Sequence, residues 1–271
     1  MNLLDLHNQR CDATGNPLFW IPEKQQKTPL CLYQNAETPV QNEWGVAESL
    51  SRSLAINYYL EVEGAGQFVG AAIKQKKIPN HPKIKELLKA NIADETYHQR
   101  GIEDLMALYQ PLQEDISEAR TIAQRWQETV DKYNPLLPVA VLEVGAFMVN
   151  LAFWRVLCGS TCAIAAREIA KDEQRHAITN RSLLNYLNQP TDSPELVDLT
   201  KQTLGWIFEQ LNVPPSETKF HWTKDNLITA SLELIETGEA KELNRDAYYG
   251  EWFAHFETNN GYSSRKLDAQ E

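Results

Sequence analysis

Apolar positions recur at helical spacing from about residue 43 onward, and long alternating runs of β-branched residues are absent, which predicts an all-α fold. A long helix is expected from about Glu43 to Lys77, ending before Pro79 and Pro82. Pro82 suits the first position of the next helix, to about Tyr109, because no intrahelical bond needs its missing N–H there. A third, amphipathic stretch from about Glu114 to Tyr133 carries Ile116, Ile122, Ala123 and Trp126. The fourth helix, from near Pro138 to about Leu157, is apolar almost all round, the pattern of a buried helix. Gly159-Ser160-Thr161 reads as a short break, with Ser160 or Thr161 as cap, before a fifth helix to about Leu187. Asn188, Pro190 and Pro194 mark a loop, Glu195–Leu211 a further helix, and one or two more follow. The expected organisation is an irregular Pro-, Asn- and Gln-rich arm at 1–40, a helical bundle at 41–190, and C-terminal helices at 191–271 packing on it within one domain.

Composition narrows the classes. At 271 residues and 42% hydrophobic the chain can bury a sizeable core. A net charge of −11 argues against nucleic acid as a partner, since phosphate binding needs a basic face; the short cluster Lys74, Lys76 and Lys77 reads as a solvated helix end. No apolar run is expected to reach membrane-spanning length, and Met1 to Arg10 carries Asp5 and His7 where a signal peptide would be apolar, so no membrane association and a cytoplasmic address are expected. Cys11, Cys31, Cys158 and Cys162 form no C-x-x-C pair, and the last two read as buried free thiols.

Two pentads carry candidate chemistry, Asp94-Glu95-Thr96-Tyr97-His98 and Asp172-Glu173-Gln174-Arg175-His176, each D-E-x-x-H inside an expected helix. Residues three apart share a helix face, so Glu95 with His98, and Glu173 with His176, can each present a carboxylate and an imidazole to one metal. Either pentad alone would fit a solvated pair of neighbours. Glu143 does not fit that reading: it lies mid-way along the apolar helix among Val139, Ala140, Ala146 and Phe147, where an ionised carboxylate is costly unless paired or bound to metal. It precedes Glu173 by 30 residues. For the first pentad the counterpart is Glu61 or Glu63, about 200° apart on a helix and so unable to share a face. Pseudo-symmetry favours Glu63, 32 residues before Glu95, over Glu61, 34 before it. Asp94 and Asp172 each stand four residues before a histidine and are expected to hold that histidine's ring nitrogen on the side away from the metal. With one imidazole per metal, the remaining ligands hard carboxylates and cysteine missing from the set, iron or manganese is favoured.

The set resembles the ferritin-like di-iron carboxylate superfamily over about Glu43 to Leu187, with a four-helix core. The form at Asp172–His176 is similar to monooxygenase hydroxylases and ribonucleotide reductase small subunits, and aldehyde deformylating oxygenases and rubrerythrins share the same ligand order. Ile102 stands where the usual reductase subunits have a radical tyrosine, and Ile169 where arylamine N-oxygenases have an additional histidine; storage ferritins are much shorter. The resemblance implies two iron ions (or a manganese/iron pair) bridged by Glu95 and Glu173 and completed by Glu63, Glu143, His98 and His176. It implies O2 and a small-molecule substrate as reactants, and it allows a homodimer. No flavin or nicotinamide motif is present, so a separate electron-donor protein or a reducing substrate is expected. The alternative function is iron handling of the ferroxidase type without an organic substrate. Gly64, Gly66, Gly70 and Gly145 crowd the two Glu-bearing helices, each costing about 1 kcal/mol against Ala, which fits room beside the metals, a π-bulge, or close helix packing. Phe68, Tyr97, Phe147 and Trp154 are candidate pocket walls or plain core.

Overall fold

Every long element of the computed structural model, which describes residues 43–238 and 240–244, is a helix. The expected arm, Cys11, Cys31 and the tail beyond 244 lie outside the described residues. The first rod is α1 (Val46–Leu60), a π-helical segment π1 (Glu61–Gly66) and α2 (Gln67–Lys74), running without a break. Then come α3 (Pro82–Tyr109), α4 (Gln113–Gln127), and a second interrupted rod of α5 (Leu136–Val141), π2 (Leu142–Phe147) and α6 (Met148–Leu157). The long α7 (Gly159–Tyr186) is followed by α8 (Pro194–Ile207), α9 (Lys224–Thr237) and the short α10 (Lys241–Asn244). A two-residue antiparallel pairing, β1 (Asn212–Val213) with β2 (Trp222–Thr223), precedes α9.

Local chemistry explains most boundaries. Pro82 occupies the first turn of α3, and Pro194 follows Ser193, whose Oγ accepts from the Leu196 N–H at 3.2 Å. Thr223 caps α9 in the same way, accepting from Asn226 N–H at 3.3 Å, and Gly238, at φ 77°, closes it in the left-handed conformation. The break between α6 and α7 falls at Cys158, with Gly159 at φ 85°, so Ser160 and Thr161 lie inside the helix and are not its caps. α4 ends at Gln127, short of the expected Tyr133, where Thr129 Oγ1 donates to the Trp126 carbonyl at 2.6 Å and the chain turns. α8 likewise stops at Ile207, and Asn212 N–H donates to the Trp44 carbonyl at 3.0 Å.

The rods pack pairwise: α1 against α3, α3 against α7, α7 against α5 and α6, and α1 and α2 against α6 and α5. α4 covers α1 and π1, and Trp126 Nε1 ties it to α8 by donating to Thr203 Oγ1 at 3.1 Å. α8 and α9 close over π2. The core is continuous, with Trp126, Trp154, Trp222, Phe68, Phe147 and Phe153 fully buried. Phe68, Phe147 and Trp154 are thus members of that core, and Trp154 Nε1 donates to Ser53 Oγ at 2.7 Å.

The expectation that no apolar run reaches membrane-spanning length is also corrected. Leu136–Leu157 forms 22 continuous helical residues with a mean hydropathy of 2.0 over its most apolar stretch, long and apolar enough to cross a bilayer. Here that stretch is wholly buried inside the protein. It is an all-round apolar rod because other helices surround it.

Candidate metal centre

Each of the two interrupted rods opens into a π-helical turn where its glutamate stands. In π1 the Gln67 N–H reaches the Val62 carbonyl, and in π2 the Met148 N–H reaches that of Glu143, both five residues back. The wider turn loosens the carbonyl ladder, and Gln127 Nε2 donates to the Glu63 carbonyl at 3.1 Å. Gly64 and Gly66 lie within π1 and Gly145 within π2. A Cβ on Gly145 would sit 2.8 Å from Ile235 Cδ1 and 3.1 Å from Ser231 Oγ, so this glycine serves the close approach of α9. A Cβ on Gly66 would meet Glu95 Cβ at 3.6 Å, an ordinary contact.

The structure brings together Glu61, Glu95, His98, Glu143, Glu173 and His176, all at most 1% exposed. They form two quartets, Glu61–Glu95–His98–Glu173 and Glu95–Glu143–Glu173–His176, in each of which one ligand atom per residue lies within 4.8 Å of every other. Glu95 and Glu173 belong to both quartets. Glu63 does not join them: it is exposed, and the preference for it over Glu61 is corrected. Counting residues between glutamates included loops of unequal length, seven residues after Lys74 but only Cys158 after Leu157. Depth along the helices is what matches. Glu61 lies 13 residues before the end of its rod and Glu95 13 after the start of α3, while Glu143 and Glu173 each lie 14 from theirs.

Within the site both imidazoles turn Nδ1 inward. His98 Nδ1 lies 3.2 Å from Glu61 Oε2, 3.0 Å from Glu173 Oε1 and 3.6 Å from Glu95 Oε2. His176 Nδ1 lies 2.9 Å from Glu95 Oε1, 3.8 Å from Glu173 Oε2 and 4.0 Å from Glu143 Oε1. Despite these approaches, all four oxygens of Glu95 and Glu173 lack a well-aligned hydrogen bond. One nitrogen or oxygen from each member of a quartet lies close enough to the others for a single cation to be shared among them.

The aspartates are exchanged relative to expectation. Asp94 Oδ2 lies 3.1 Å from His176 Nε2, and Asp172 Oδ2 lies 3.2 Å from His98 Nε2. Each aspartate therefore holds the histidine of the other helix. Positions four apart on one helix stand side by side and face the same neighbour, so the carboxylate reaches across the interface. The pairs 94 with 176 and 98 with 172 share one antiparallel register of α3 on α7. Arg175 forms an ion pair with Asp172. Burial pulls the Arg175 guanidinium down to about 10 from its ordinary range, with the Asp94 charge opposing.

Electrostatics make the cluster costly in the absence of cations. Burial, then the charge of Glu173, holds the Glu95 and Glu143 carboxyls well above the usual range, and burial lifts Glu173 to about 7. At His98 burial works against the charged ring, but the adjoining carboxylates of Glu173, Glu61 and Glu95 outweigh it and raise its pKa well above the ordinary value. Sequence reasoning missed Asn180, whose Nδ2 donates to Glu143 Oε2 at 3.0 Å and Oε1 at 3.2 Å. The signal was present: Asn180 is four residues after His176 and seven after Glu173, on the same helix face.

Each quartet could hold a metal ion: four glutamates supply hard oxygen donors and two imidazoles complete the sets. No protein-family description, curated protein or solved structure matches this chain.

Proposed function

We propose that this chain is a di-iron protein with a ferritin-like four-helix core, acting as an O2-dependent oxygenase or oxidase on a small organic substrate. One observation carries the reading: two buried ligand quartets share the carboxylates of Glu95 and Glu173, with His98 and Glu61 completing one and His176 and Glu143 the other. Shared carboxylates suit two ions held side by side, the arrangement in which iron pairs supply electrons to O2.

The chain's own residues have separable tasks. Glu95 and Glu173 would bridge, Glu61 and Glu143 would each bind one ion, and His98 and His176 would bind through Nδ1. Asp94 and Asp172 accept at the opposite ring nitrogens, which fixes the tautomer that leaves Nδ1 free to bind and raises its basicity. Every residue of π2 is buried, which keeps water from the Glu143 side. A manganese/iron pair would fit the same donors, and the reducing equivalents would come from a separate donor protein or from the substrate.

The test is O2 uptake by protein loaded anaerobically with two Fe(II) per chain in the presence of excess chemical reductant. The expected result is sustained uptake beyond the iron supplied, abolished in Glu143→Ala. Uptake equal to that of free Fe(II), and unaltered by Glu143→Ala, would overturn the reading.

A further inference from the structure

The two halves of the centre repeat the same ligand types, yet they differ in what surrounds them. Four residues after each histidine, the second half has Asn180 and the first has Ile102, both 0% exposed. Asn180 Nδ2 donates to both oxygens of Glu143, at 3.0 and 3.2 Å, so this carboxylate is held in place by an amide on the neighbouring helix. Among the described residues Glu61 has no amide partner of this kind: its Oε2 faces His98 Nδ1 at 3.2 Å, a contact between two members of the ligand set itself.

Solvent access follows the same division. All six residues of π2 are buried, and α9 presses so closely that a Cβ on Gly145 would meet Ile235 Cδ1 at 2.8 Å. In π1, Glu63 is exposed and Val62 half-buried. Asp172, which backs His98, keeps 20% of its side chain exposed, against 7% for Asp94, which backs His176.

We infer that the two metal positions are inequivalent: the Glu143–His176 position is pre-organised by Asn180 and fills first, and the Glu61–His98 position is the weaker, exchangeable one. This inference rests on the proposed metal-binding reading. A ligand already held in its binding geometry loses less conformational freedom when the ion arrives. A ligand that must be drawn away from a neighbouring imidazole has no such advantage. Asn180 is thus a positioning residue acting through Glu143.

Anaerobic titration with Co(II), followed by its visible absorption, tests this with the metal alone. Wild-type protein is expected to bind in two steps at least about tenfold apart in affinity, the scale of effects from residues behind metal ligands. Glu61→Ala should keep the tight step and lose the weak one, and Glu143→Ala should lose the tight one. Asn180→Ile, which copies Ile102, should weaken the tight step about tenfold towards the other. Asn180→Ser serves the same purpose with a smaller change should the isoleucine variant not fold. Two equal steps in the wild type, retention of the tight step in Glu143→Ala, or an unchanged tight step in a folded Asn180 variant would overturn the inference. No Co(II) uptake by wild-type protein would instead overturn the metal-binding reading on which it rests.

Discussion

Glu61→Ala is expected to lower the metal content of the loaded protein from two ions per chain to about one, and Glu63→Ala to leave it unchanged. The two side chains are separated by a single residue, so composition and helix propensity barely distinguish them. Their positions do: Glu61 is 1% exposed and belongs to a quartet with His98, whereas Glu63 is exposed and outside both quartets. Losing Glu61 removes one of the four donors of its position. The affinity there should fall by more than the roughly 10–100-fold typical of a residue behind the ligands. The Glu143–His176 position keeps all of its own donors. Elemental analysis after gel filtration, on both variants beside the wild type, reads the result directly. Equal losses in the two variants would show that the exposed residue also matters and that the first position is misassigned.

Loading with Fe(II) or Mn(II) is expected to raise the melting temperature by about 10–20 °C, reversibly on chelation. The site buries four glutamates and two histidines together, and burial disfavours the ionised forms of Glu95, Glu143 and Glu173. Metal binding to the folded state alone stabilises by about 2.7 kcal/mol per site at a free concentration a hundred times the dissociation constant. Two sites give about 5 kcal/mol, and large single domains gain about 2–4 °C per kcal/mol. Thermal unfolding by circular dichroism, with and without metal, measures it. The shift should shrink by about half in Glu61→Ala, where one site is lost.

Much of the helical order was legible because apolar periodicity and proline placement are local signals. Pro82 and Pro194 mark the starts of α3 and α8, and the break near Gly159 was visible from its own residue type. The buried glutamate Glu143 was legible for a related reason, since a carboxylate amid an apolar helix needs an explanation. What the chain did not disclose came from register between elements. Residue counts along the chain do not single out Glu61, because loops of unequal length separate the paired helices. The aspartate exchange depends on how α3 sits on α7, which spacing along one helix does not encode. The spacing of Asn180 from Glu173 and His176 places it on the ligand face, but its partner Glu143, 37 residues away on another rod, is set by packing. The π-helical turns had a hint in the clustered glycines. For Gly145, close packing against α9 accounts for the residue, and the structure gives that position no spare room for a substrate.

The most direct test of the central claim is metal content by elemental analysis of protein expressed with iron supplied, beside Glu143→Ala. The account predicts about two ions per wild-type chain and about one in the variant. Fewer than one ion per chain, unchanged in Glu143→Ala, would contradict it and leave the buried carboxylates as structural groups.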